Sequence, residues 1–338
     1  MYLLCASSQR KQYICINQYF LYLFCDLNYF KFLAKRIQWN MMKTFSIITF
    51  LMCLIFVSFS CDRQGKNTEK GNVDFRLITY NVWYGFTKDP GRKVSWIQWM
   101  RDQKPDVVSL QELNDYTPNQ LTEDAAEWGH PYSVLLKEEG FPTGVTSKYP
   151  IEDIHRFMEG FHHGLLRVKI QGKYIYIIHL HPSNWEIRNR EIDFIISNIN
   201  TLPPDSPVIL AGDFNTLSPF DSTYYTHSGL EPFFQARDKQ FNEVNLRNGK
   251  LDYSVIQKLI DFGLTDVEYS MRTKDYHFTG SFPTLIEKEG DDGDQRRLDY
   301  VFVNKSLAGK VVKAEIVADS ITLKLSDHLP LVVDFKLE

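Results

Sequence analysis

Cysteine is absent from most of this 338-residue chain, because all five copies lie within the first 61 residues. The remaining 277 residues therefore contain no disulfide and no cysteine ligand for a metal ion. That length is ample for one large domain, and a 14% aromatic content supplies bulky side chains for its interior. We expect a single domain over residues 74–338, stabilised by its core.

Positive charge is scarce in the same part of the chain. The segment through Cys61 has 6 basic residues and 1 acidic residue, which leaves 32 basic and 41 acidic residues beyond it, a net charge of about −9. Such a surface does not attract polyanions in bulk, which argues against a processive or tight nucleic-acid binder. A metal-dependent nuclease is not excluded, because bound cations reverse the sign of the charge locally.

The apolar run near the N-terminus is too short to cross a membrane. It extends from Phe45 to Phe59, 15 residues, whereas a membrane span takes roughly 20. Lys43 precedes it and Cys61 follows it, an arrangement typical of a secretory signal with a cysteine at the cleavage site. We predict a signal peptide over residues 42–61 and a polar tether over residues 62–73.

The junction VSFSC resembles a loose bacterial lipobox, with Cys61 as the lipid-carrying first residue of the mature protein. Phe59 departs from that pattern, since a small residue is usual there. We expect an exported bacterial lipoprotein of the cell envelope, in the periplasm or at the outer surface, which contacts the membrane through Cys61. Residues 1–41 show no regular hydrophobic periodicity. We predict that they are an extension produced by an incorrectly assigned start codon, with Met41 or Met42 as the true first residue. The alternative is a genuine extension or a second hydrophobic segment.

After the tether, short apolar strands alternate with helical stretches. The spacing of Val94, Ile97 and Met100 predicts a helix over 92–103 that Pro105 stops. A second helix is predicted within 191–200 and a third within 255–263, the latter with a glycine C-cap. This alternation favours an α/β domain with a large strand share, but it does not separate a parallel sheet from two packed mixed sheets. The residues that carry the second and third predictions are Ile192, Ile195, Ile196, Ile199 and Gly263.

Six strand-like segments each end in polar side chains suited to holding a metal ion and a phosphate. A strand interior has no use for such groups, because an unpaired buried amide or hydroxyl costs about 2–7 kcal/mol. The simplest arrangement is one shared sheet edge, where the groups converge in a cleft that solvent reaches. The segments are RLITYNVWYG, DVVSLQEL, YIYIIHLHPS, PVILAGDFNT, RRLDYVFVN and LSDHLPLVVDF, and their polar residues are Asn81, Glu112, His179, Asp213, Asn215, Asp299, Asp327 and His328.

These segments resemble, in the same order, the motifs of the endonuclease/exonuclease/phosphatase superfamily, the relatives of pancreatic deoxyribonuclease, AP endonucleases, bacterial sphingomyelinases and inositol-polyphosphate 5-phosphatases. The resemblance extends from about Phe75 to Phe335. The motif GDFN alone is moderately specific for this superfamily, and SDHLP is more specific. The assignment rests on the order and spacing of all six segments. The resemblance implies an α/β (α+β) fold of four layers, in which two mixed β-sheets pack face to face with helices on both outer sides. The site would lie at one end of this sandwich.

Glu112 is the strongest candidate metal ligand, because hard divalent ions prefer oxygen ligands and it ends the apolar DVVSL run. Asn81 would act beside it as a neutral ligand or an orienting group, and the resemblance adds Asp327 to the cluster. The resemblance also implies Mg²⁺ as the cofactor, with Mn²⁺ or Ca²⁺ as alternatives. The competing interpretations are a helix-start carboxylate for Glu112 and an Asx-turn residue for Asn81. Trp83 stands where some AP endonucleases have a second acidic ligand, which leaves the number of metal ions open.

Asp213 and Asn215 follow the apolar run PVILAG, in which Gly212 is expected to allow a sharp turn. On an extended segment, side chains two residues apart point the same way, so this pair can orient a water and bind a phosphate oxygen. The resemblance implies that Asp213 aligns or deprotonates the attacking water and that Asn215 supports it. The alternative is an ordinary pair of loop residues.

His328 can act near neutral pH either as a cation against phosphate or as a proton donor. A carboxylate at one ring nitrogen would fix its orientation and favour the charged form. The resemblance makes Asp299 that carboxylate. The alternative is a structural histidine, although the Ser-Asp-His-x-Pro context disfavours it.

His179 begins the segment H-x-H-P-S, where the deoxyribonuclease and sphingomyelinase branches place a histidine near the leaving group. AP endonucleases carry an N-x-Y-x-P-N-like segment there, which this sequence lacks, so an abasic-site repair role is disfavoured. Weaker substrate-binding candidates are His181, His163 and Arg190. For His181 a loop position is the alternative, and His163 lies near where several relatives carry a phosphate-contacting arginine. For Arg190 the alternative is a helix-surface salt bridge.

Together these assignments predict a Mg²⁺-dependent phosphoesterase that hydrolyses a phosphodiester by direct in-line attack of water. An exported nuclease acting on nucleic acid is the first candidate. A phosphoesterase acting on a phospholipid head group, an inositol phosphate or another small phosphorylated metabolite is the alternative. The sequence indicates no obligate protein partner. The alternative from a different functional class, a protein that is not an enzyme, is an inactive binding module on the same fold. Aromatic residues that could contact a bilayer are Phe141 and the pair Phe233-Phe234. The acidic run 287–294 is expected to be a solvated mobile loop rather than a calcium site.

Overall fold

The computed structural model of the protein describes residues 73–337. The predicted extension, the signal peptide with Cys61 and all but the last residue of the predicted tether lie outside the described residues. Within the described range, no helix combines the length and the apolar composition of a membrane span.

Two six-stranded mixed sheets and a two-stranded ribbon make up the β-structure of residues 73–337. The first sheet contains, in spatial order, β13 (Val311–Ile316), β14 (Leu331–Phe335), β1 (Phe75–Asn81), β2 (Val107–Gln111), β4 (Gly144–Ser147) and β3 (Tyr132–Leu135). The second contains β11 (Thr265–Asp266), β12 (Asp299–Val303), β8 (Val208–Asp213), β7 (Lys173–His179), β6 (Leu165–Ile170) and β5 (Glu152–Phe157). The ribbon pairs β9 (Leu246–Arg247) with β10 (Lys250–Leu251). The pairs β1–β2 and β7–β8 are parallel, and the other neighbours are antiparallel.

Eight α-helices accompany the sheets within the described residues. They are α1 (Arg92–Gln103), α2 (Pro118–Glu127), α3 (Trp185–Ile199), α4 (Ser222–Thr226), α5 (Leu230–Phe241), α6 (Ser254–Asp261), α7 (Val267–Ser270) and α8 (Lys305–Ala308), with 3₁₀ turns at Tyr84–Phe86, Pro219–Asp221 and Thr322–Lys324. One core lies between the sheets and joins Leu77 of β1 to Ile209 of β8. Helices α1 and α2 form a second core on the first sheet, and α3 and α6 form a third on the other. The predicted four-layer sandwich is confirmed.

The three predicted helices are present, and one of them presents a different face from the predicted one. Helix α1 has the predicted bounds, but Val94 is 75% exposed while Trp96 and Trp99 are buried. Helix α3 begins six residues before the predicted stretch, because the Asn184 side chain accepts hydrogen bonds from the first-turn amides of Glu186 and Ile187. Helix α6 is followed by Gly263 at φ +91°, the left-handed conformation expected of a C-cap glycine.

Candidate functional site

The strand register brings the predicted polar residues to one edge of the sandwich. Asn81 ends β1 beside the end of β2, and Glu112 follows directly. In the second sheet, His179 pairs with Asp213, which in turn pairs with Asp299. Because β12 runs antiparallel to β8, its first residue meets the last residue of β8. The SDHLP segment precedes β14, whose first residues lie beside the end of β1. The expected convergence of strand ends is therefore present.

Gly212 is required by close strand packing and not by a sharp turn. It lies inside β8, between Ile178 of β7 and Tyr300 of β12. A Cβ atom at this position would lie 1.9 Å from the carbonyl oxygen of Ile178, so any side chain would force β7 and β8 apart. The turn predicted at Gly212 was wrong, and the glycine instead fixes the spacing of the two strands that carry His179 and Asp213.

Two of the predicted site residues have a backbone conformation that side-chain-bearing residues rarely adopt. Glu112 has φ +59° and Asn215 has φ +49°, a region that costs a side-chain-bearing residue on the order of 1–3 kcal/mol. Hydrogen bonds hold both residues there. The Tyr84 amide donates to Glu112 Oε2 (2.9 Å), and Asn215 donates its own amide to Asp213 Oδ1 (2.9 Å). Strain held in this way at a cleft is typical of a functional site.

The Asn81 side chain links the two sheets. Its Nδ2 donates to Glu112 Oε1 and to Asp213 Oδ2, both at 3.1 Å. Its Oδ1 accepts from the Trp83 amide (3.1 Å), so Asn81 also forms the Asx turn considered as the alternative. In this arrangement Asn81 orients two carboxylates, because its own oxygen is already engaged.

Asp299, His328 and Asp213 form a buried row. Asp299 Oδ2 lies 2.7 Å from His328 Nδ1, and His328 Nε2 lies 3.8 Å from Asp213 Oδ2. Burial lowers the pKa of His328, but the charges of Asp299 and Asp213 outweigh it and raise that pKa to about 10. The imidazole is therefore a cation at neutral pH. Burial raises the pKa of Asp213 to about 7. Ligand atoms of these three residues lie within 4.8 Å of one another, so the row could also hold a metal ion.

Asp327 is paired with Lys288, a residue that no sequence motif identifies as part of the site. Lys288 Nζ lies 2.6 Å from Asp327 Oδ2 and 3.2 Å from Asp292 Oδ2. The other oxygen of Asp327 is buried and accepts no hydrogen bond from the described residues. Lys288 belongs to the acidic run 287–294, so part of the expected solvated loop lies against the predicted metal ligands instead.

Histidines form a second side of the edge. The His163 ring stacks on the His179 ring with centroids 4.0 Å apart, and His162 contacts His163 at 4.4 Å. His179 Nε2 lies 3.7 Å from Asp213 Oδ2. Burial lowers the pKa of His163 to about 3 and the pKa of His179 well below its usual value. These rings are therefore neutral at pH 7, in contrast with His328.

Two of the weaker predictions lie away from the cleft. Arg190 is exposed on α3 and is not among the described residues that line the cleft, so its assignment to substrate binding stays a prediction that this geometry does not favour. The helix turns Arg190 outward and buries Arg188 instead, which donates to the His181 carbonyl (3.0 Å). His181 follows the end of β7 and lies behind the lining, with its ring 4.2 Å from that of His162. His181 therefore occupies a loop position, which was the alternative to its assignment as a substrate-binding residue.

Glu191 supports the histidines from behind. Its side chain is fully buried, and it accepts hydrogen bonds from the amides of His162 (2.8 Å) and His181 (2.9 Å). Burial raises the pKa of Glu191 to about 7, although these two bonds oppose the shift. The sequence shows Glu191 only as a polar residue at the start of an isoleucine-rich helix face, so no local pattern identified it.

Glu191 should make folding stability depend on pH. A carboxyl whose pKa is raised on folding binds its proton more tightly in the folded state, so its contribution is present below about pH 4.3 and is lost as pH rises through 7. We expect Glu191→Gln to gain stability relative to the wild type between pH 5 and 8, by at most about 1.4 kcal/mol per pH unit. Urea unfolding across this range measures the difference. Glu186→Gln, an exposed change on the same helix, should give a flat difference, and a flat difference for Glu191→Gln would refute the assignment.

The converging residues line a cleft of about 890 Å³. Seven of the predicted site residues are part of its lining, namely Glu112, Asp213, Asn215, Asp327, His328, His163 and His179. Aromatic and basic residues from helix α5 and from connecting segments complete it, among them Tyr84, Phe141, Phe233, Phe234, Phe282, Lys288 and Arg296. Phe141 and Phe233-Phe234, which the sequence offered for contact with a bilayer, therefore face this cleft.

Comparison with known proteins agrees with this geometry. The profile of the Endonuclease/Exonuclease/phosphatase family matches residues 78–328. An AP endonuclease from Archaeoglobus fulgidus superposes with TM-score 0.55 at 20% identity, covering 78% of this chain and 99% of that one. A 3′-5′ exonuclease from Neisseria meningitidis gives 0.54 at 16% identity, covering 78% and 100%. A humanized D. rerio TDP2 gives 0.51 at 18% identity, covering 78% and 98%.

At these identities the solved structures establish the fold, and no curated protein matches the chain in sequence. The family profile spans most of the described residues, including all six predicted strand ends. The chain therefore belongs to the endonuclease/exonuclease/phosphatase family and is a metal-dependent hydrolase of phosphoester bonds.

Proposed function

We propose that the protein is an exported, Mg²⁺-dependent phosphodiesterase that hydrolyses its substrate by direct in-line attack of water. The observation that carries this proposal is the position of Asp213. One of its oxygens is held by Asn81, which also holds Glu112, and faces both His328 and His179 within 3.8 Å. A carboxylate between a candidate metal ligand and two imidazoles is suited to aim and deprotonate a water.

The donor set on the Glu112 side fits a hard divalent cation. Glu112 and Asp327 offer carboxylate oxygens to the same cleft, and Asp327 Oδ1 is buried with no partner among the described residues. Mg²⁺ prefers such oxygen ligands, and Mn²⁺ and Ca²⁺ share that preference. Bound there, the ion would neutralise phosphate charge and polarise the phosphoryl oxygen. In the Asp299–His328 pair the contacting atoms are already joined by a hydrogen bond, whereas Asp327 Oδ1 accepts none from the described residues, which favours Asp327 over that pair as a ligand.

The remaining residues have separable roles. Asp213 orients the attacking water, and the Asn215 amide fixes its second oxygen. His328 is held in its cationic form by Asp299 and stabilises the negative charge that develops on the phosphoryl group. His179 is neutral, so its ring N–H can donate a hydrogen bond to the leaving-group oxygen, which takes its proton from solvent water. No protein nucleophile is needed in this scheme.

A phosphodiester is favoured as the substrate because one structurally similar protein is a 3′-5′ exonuclease from Neisseria meningitidis, and an exonuclease cleaves phosphodiester bonds. Export, lipidation of Cys61 and attachment to the envelope membrane form part of the proposal and rest on the N-terminal sequence. A phospholipid head group, an inositol phosphate or another small phosphorylated metabolite is the alternative substrate. An inactive binding module would show no turnover on any of them.

Metal dependence tests the assignment of Glu112. We expect hydrolysis of bis-p-nitrophenyl phosphate to require Mg²⁺ or Mn²⁺ and to stop in EDTA. Glu112→Gln should raise the Mg²⁺ concentration for half-maximal rate by about 10-fold or more, because the amide loses the ligand charge. Glu186→Gln, on the exposed surface of α3, is the matched control and should leave the Mg²⁺ titration unchanged. Turnover that persists in EDTA would overturn the metal-dependent mechanism.

The substrate class is resolved by a panel of plasmid DNA, RNA, sphingomyelin and inositol phosphates, assayed under the same metal conditions. Preference for DNA or RNA supports the nuclease, whereas preference for sphingomyelin or an inositol phosphate replaces it with the alternative. Export is tested separately by fractionating cells that express the full chain. A Cys61→Ala variant that remains bound to the membrane would contradict lipid anchoring at Cys61.

A further inference from the structure

We infer that one wall of the cleft is a subsite for a planar aromatic ring, so that the substrate is a small phosphoester carrying a nucleobase-like group rather than a long polynucleotide. This inference rests on the proposed phosphoester hydrolysis and narrows its substrate from nucleic acid to the small phosphorylated metabolite given above as the alternative. The wall consists of Phe233 and Phe234 of α5, Phe282 and Arg296, and we refer to these four residues as the aromatic wall.

The aromatic wall is a packed structure and not a set of loose side chains. The Arg296 guanidinium lies 5.6 Å, 5.3 Å and 4.6 Å from the ring centroids of Phe233, Phe234 and Phe282. Phe233 and Phe234 meet edge to face with centroids 5.2 Å apart. Arg296 is 7% exposed, so the wall is built around a buried cation. Such cation–π stacking holds the rings in place before any ligand binds.

The acidic run 287–294 holds the wall from outside. Arg296 Nη1 donates to the carbonyls of Asp292 (2.6 Å) and Asp294 (3.0 Å). Gly293 lies against Phe233, since a Cβ atom at Gly293 would come within 2.8 Å of that ring. The run expected to be a solvated loop is therefore packed on the wall over these residues. A rigid apolar surface of this kind suits a flat ligand, because little side-chain freedom is lost on binding.

Polar groups border the wall at fixed positions. The Asn245 side chain lines the same cleft, and its Nδ2 is held by Asp238 (2.8 Å) and Glu243 (2.9 Å). Its carbonyl oxygen is thereby fixed as an acceptor for the exocyclic or ring N–H of a base. Stacking on a π-face combined with hydrogen bonds to an edge is how proteins hold single bases.

The charges of the lining favour a single phosphate. A protein that follows a polynucleotide backbone needs lysines and arginines available to successive phosphates. Here Arg237 is bonded to Glu243 (3.1 Å), Lys288 is bonded to Asp327 (2.6 Å), and Arg296 is engaged by carbonyls. Lys88 is thereby left as the one lysine or arginine of this lining without such a partner among the described residues. Glu289 and Asp292 add negative charge to the same lining. The volume of about 890 Å³ also falls in the range of small-molecule sites, about 300–1,000 Å³.

Binding of AMP and ribose 5-phosphate, with Mg²⁺ present, tests the inference by calorimetry. The two ligands share the sugar phosphate and differ in the base, and free phosphate is assayed afterwards so that turnover is not read as binding. We expect the wild type to bind AMP more tightly. Phe233→Ala and Phe234→Ala should each weaken AMP binding by about 5- to 100-fold and leave ribose 5-phosphate binding unchanged, as expected for loss of base stacking.

Control variants separate stacking from folding and from simple apolar contact. Phe241→Ala removes an exposed ring from the same helix, outside the cleft lining, and should leave both affinities unchanged. Phe233→Tyr keeps the π-face and should retain AMP binding, whereas Phe233→Leu keeps only apolar bulk and should not. Thermal melting checks that each variant is folded. If Phe233→Ala does not fold, the Phe234→Ala variant is used for the binding comparison.

Three outcomes would overturn the inference: equal wild-type affinity for the two ligands, equal weakening of both in the Phe variants, or an oligonucleotide binding far more tightly than AMP. The proposed function fails separately, through absence of metal-dependent turnover on every phosphoester. If turnover is absent but AMP binding still depends on Phe233, the aromatic subsite stands and the phosphodiesterase does not.

Discussion

Asp213→Asn should lower kcat by about 10²- to 10⁴-fold on bis-p-nitrophenyl phosphate at saturating Mg²⁺, the range expected for loss of a general base. Asparagine has nearly the same shape and can still accept from the Asn215 amide, which now lies 2.9 Å from Asp213 Oδ1. What it loses is the charge and basicity of the oxygen that faces His179 and His328. The decrease should therefore appear in kcat more than in KM, because substrate contacts elsewhere in the cleft remain.

The fold of the Asp213→Asn variant should be preserved. Burial raises the pKa of the Asp213 carboxyl to about 7, so the folded protein gains little from the ionised form. The variant should lose only the hydrogen bond that Asn81 Nδ2 donates to Asp213 Oδ2, which costs about 1–3 kcal/mol when a buried donor is left unpaired. Asp334→Asn is the matched control, since Asp334 is also buried but pairs with Arg76 (2.6 Å) at the opposite end of β1. That variant should retain kcat within about threefold even if it is less stable. A folded Asp213→Asn enzyme with kcat within tenfold of the wild type would remove Asp213 from the reaction.

The chemistry-bearing residues could be predicted because each lies where an apolar strand ends. Asp213 and His179 come at the last positions of β8 and β7, and the sheet register alone then makes them neighbours. The same logic works for Asp299, which begins an antiparallel strand and so reaches the same edge. Their roles remain predictions, whereas their convergence on one cleft is a feature of the structure.

The walls of the cleft could not be predicted in this way, because they come from connections whose docking depends on tertiary contacts. Phe233 and Phe234 are adjacent in sequence, a spacing that marks no helix face, and their partner Arg296 is some sixty residues away. Lys288 lies in a run dominated by acidic residues and glycine, which reads as a solvated loop. Only the contact between α5 and this run makes them part of one surface.

Helix α1 shows how side-chain volume can override periodicity. Val94, Ile97 and Met100 share a phase with spacing three, but Trp96, Trp99 and Met100 form an equally regular stripe of spacing three and four. The structure buries the second stripe, where Trp96 packs 5.7 Å from the Tyr80 ring and Val94 remains in solvent. Two tryptophans bury more apolar area than one valine, so they determine which way the helix faces.

A buried ion cluster supports the segment that leads into Asp299, and its central residue is Arg297. This side chain is fully buried and donates to Asp221 (2.8 Å) and to both oxygens of Asp266 (2.9 and 2.7 Å). Arg272 lies 2.7 Å from Asp221 and 2.7 Å from Glu268, so two arginines neutralise most of the charge of three carboxylates. The sequence RRLDYVF gives no indication that the second arginine is completely enclosed. Its removal would leave Asp266 without a cationic partner, and Arg272 alone to neutralise Asp221 and Glu268, in a region that water does not reach.

Arg297→Met should therefore destabilise the protein by about 3–5 kcal/mol, the usual effect of removing one partner of a buried ion pair, and lower Tm by about 6–20 °C. Methionine has a comparable length, so lost packing contributes little and the unpaired carboxylates dominate. Urea unfolding gives the free energy directly. Lys258→Met, which breaks the exposed pair with Asp193 (2.8 Å), is the matched control and should cost less than about 1 kcal/mol. If Arg297→Met cost no more than that control, the cluster would be compensated by Arg272 alone, and the alignment of Asp299 with His328 would have to depend on β12 itself.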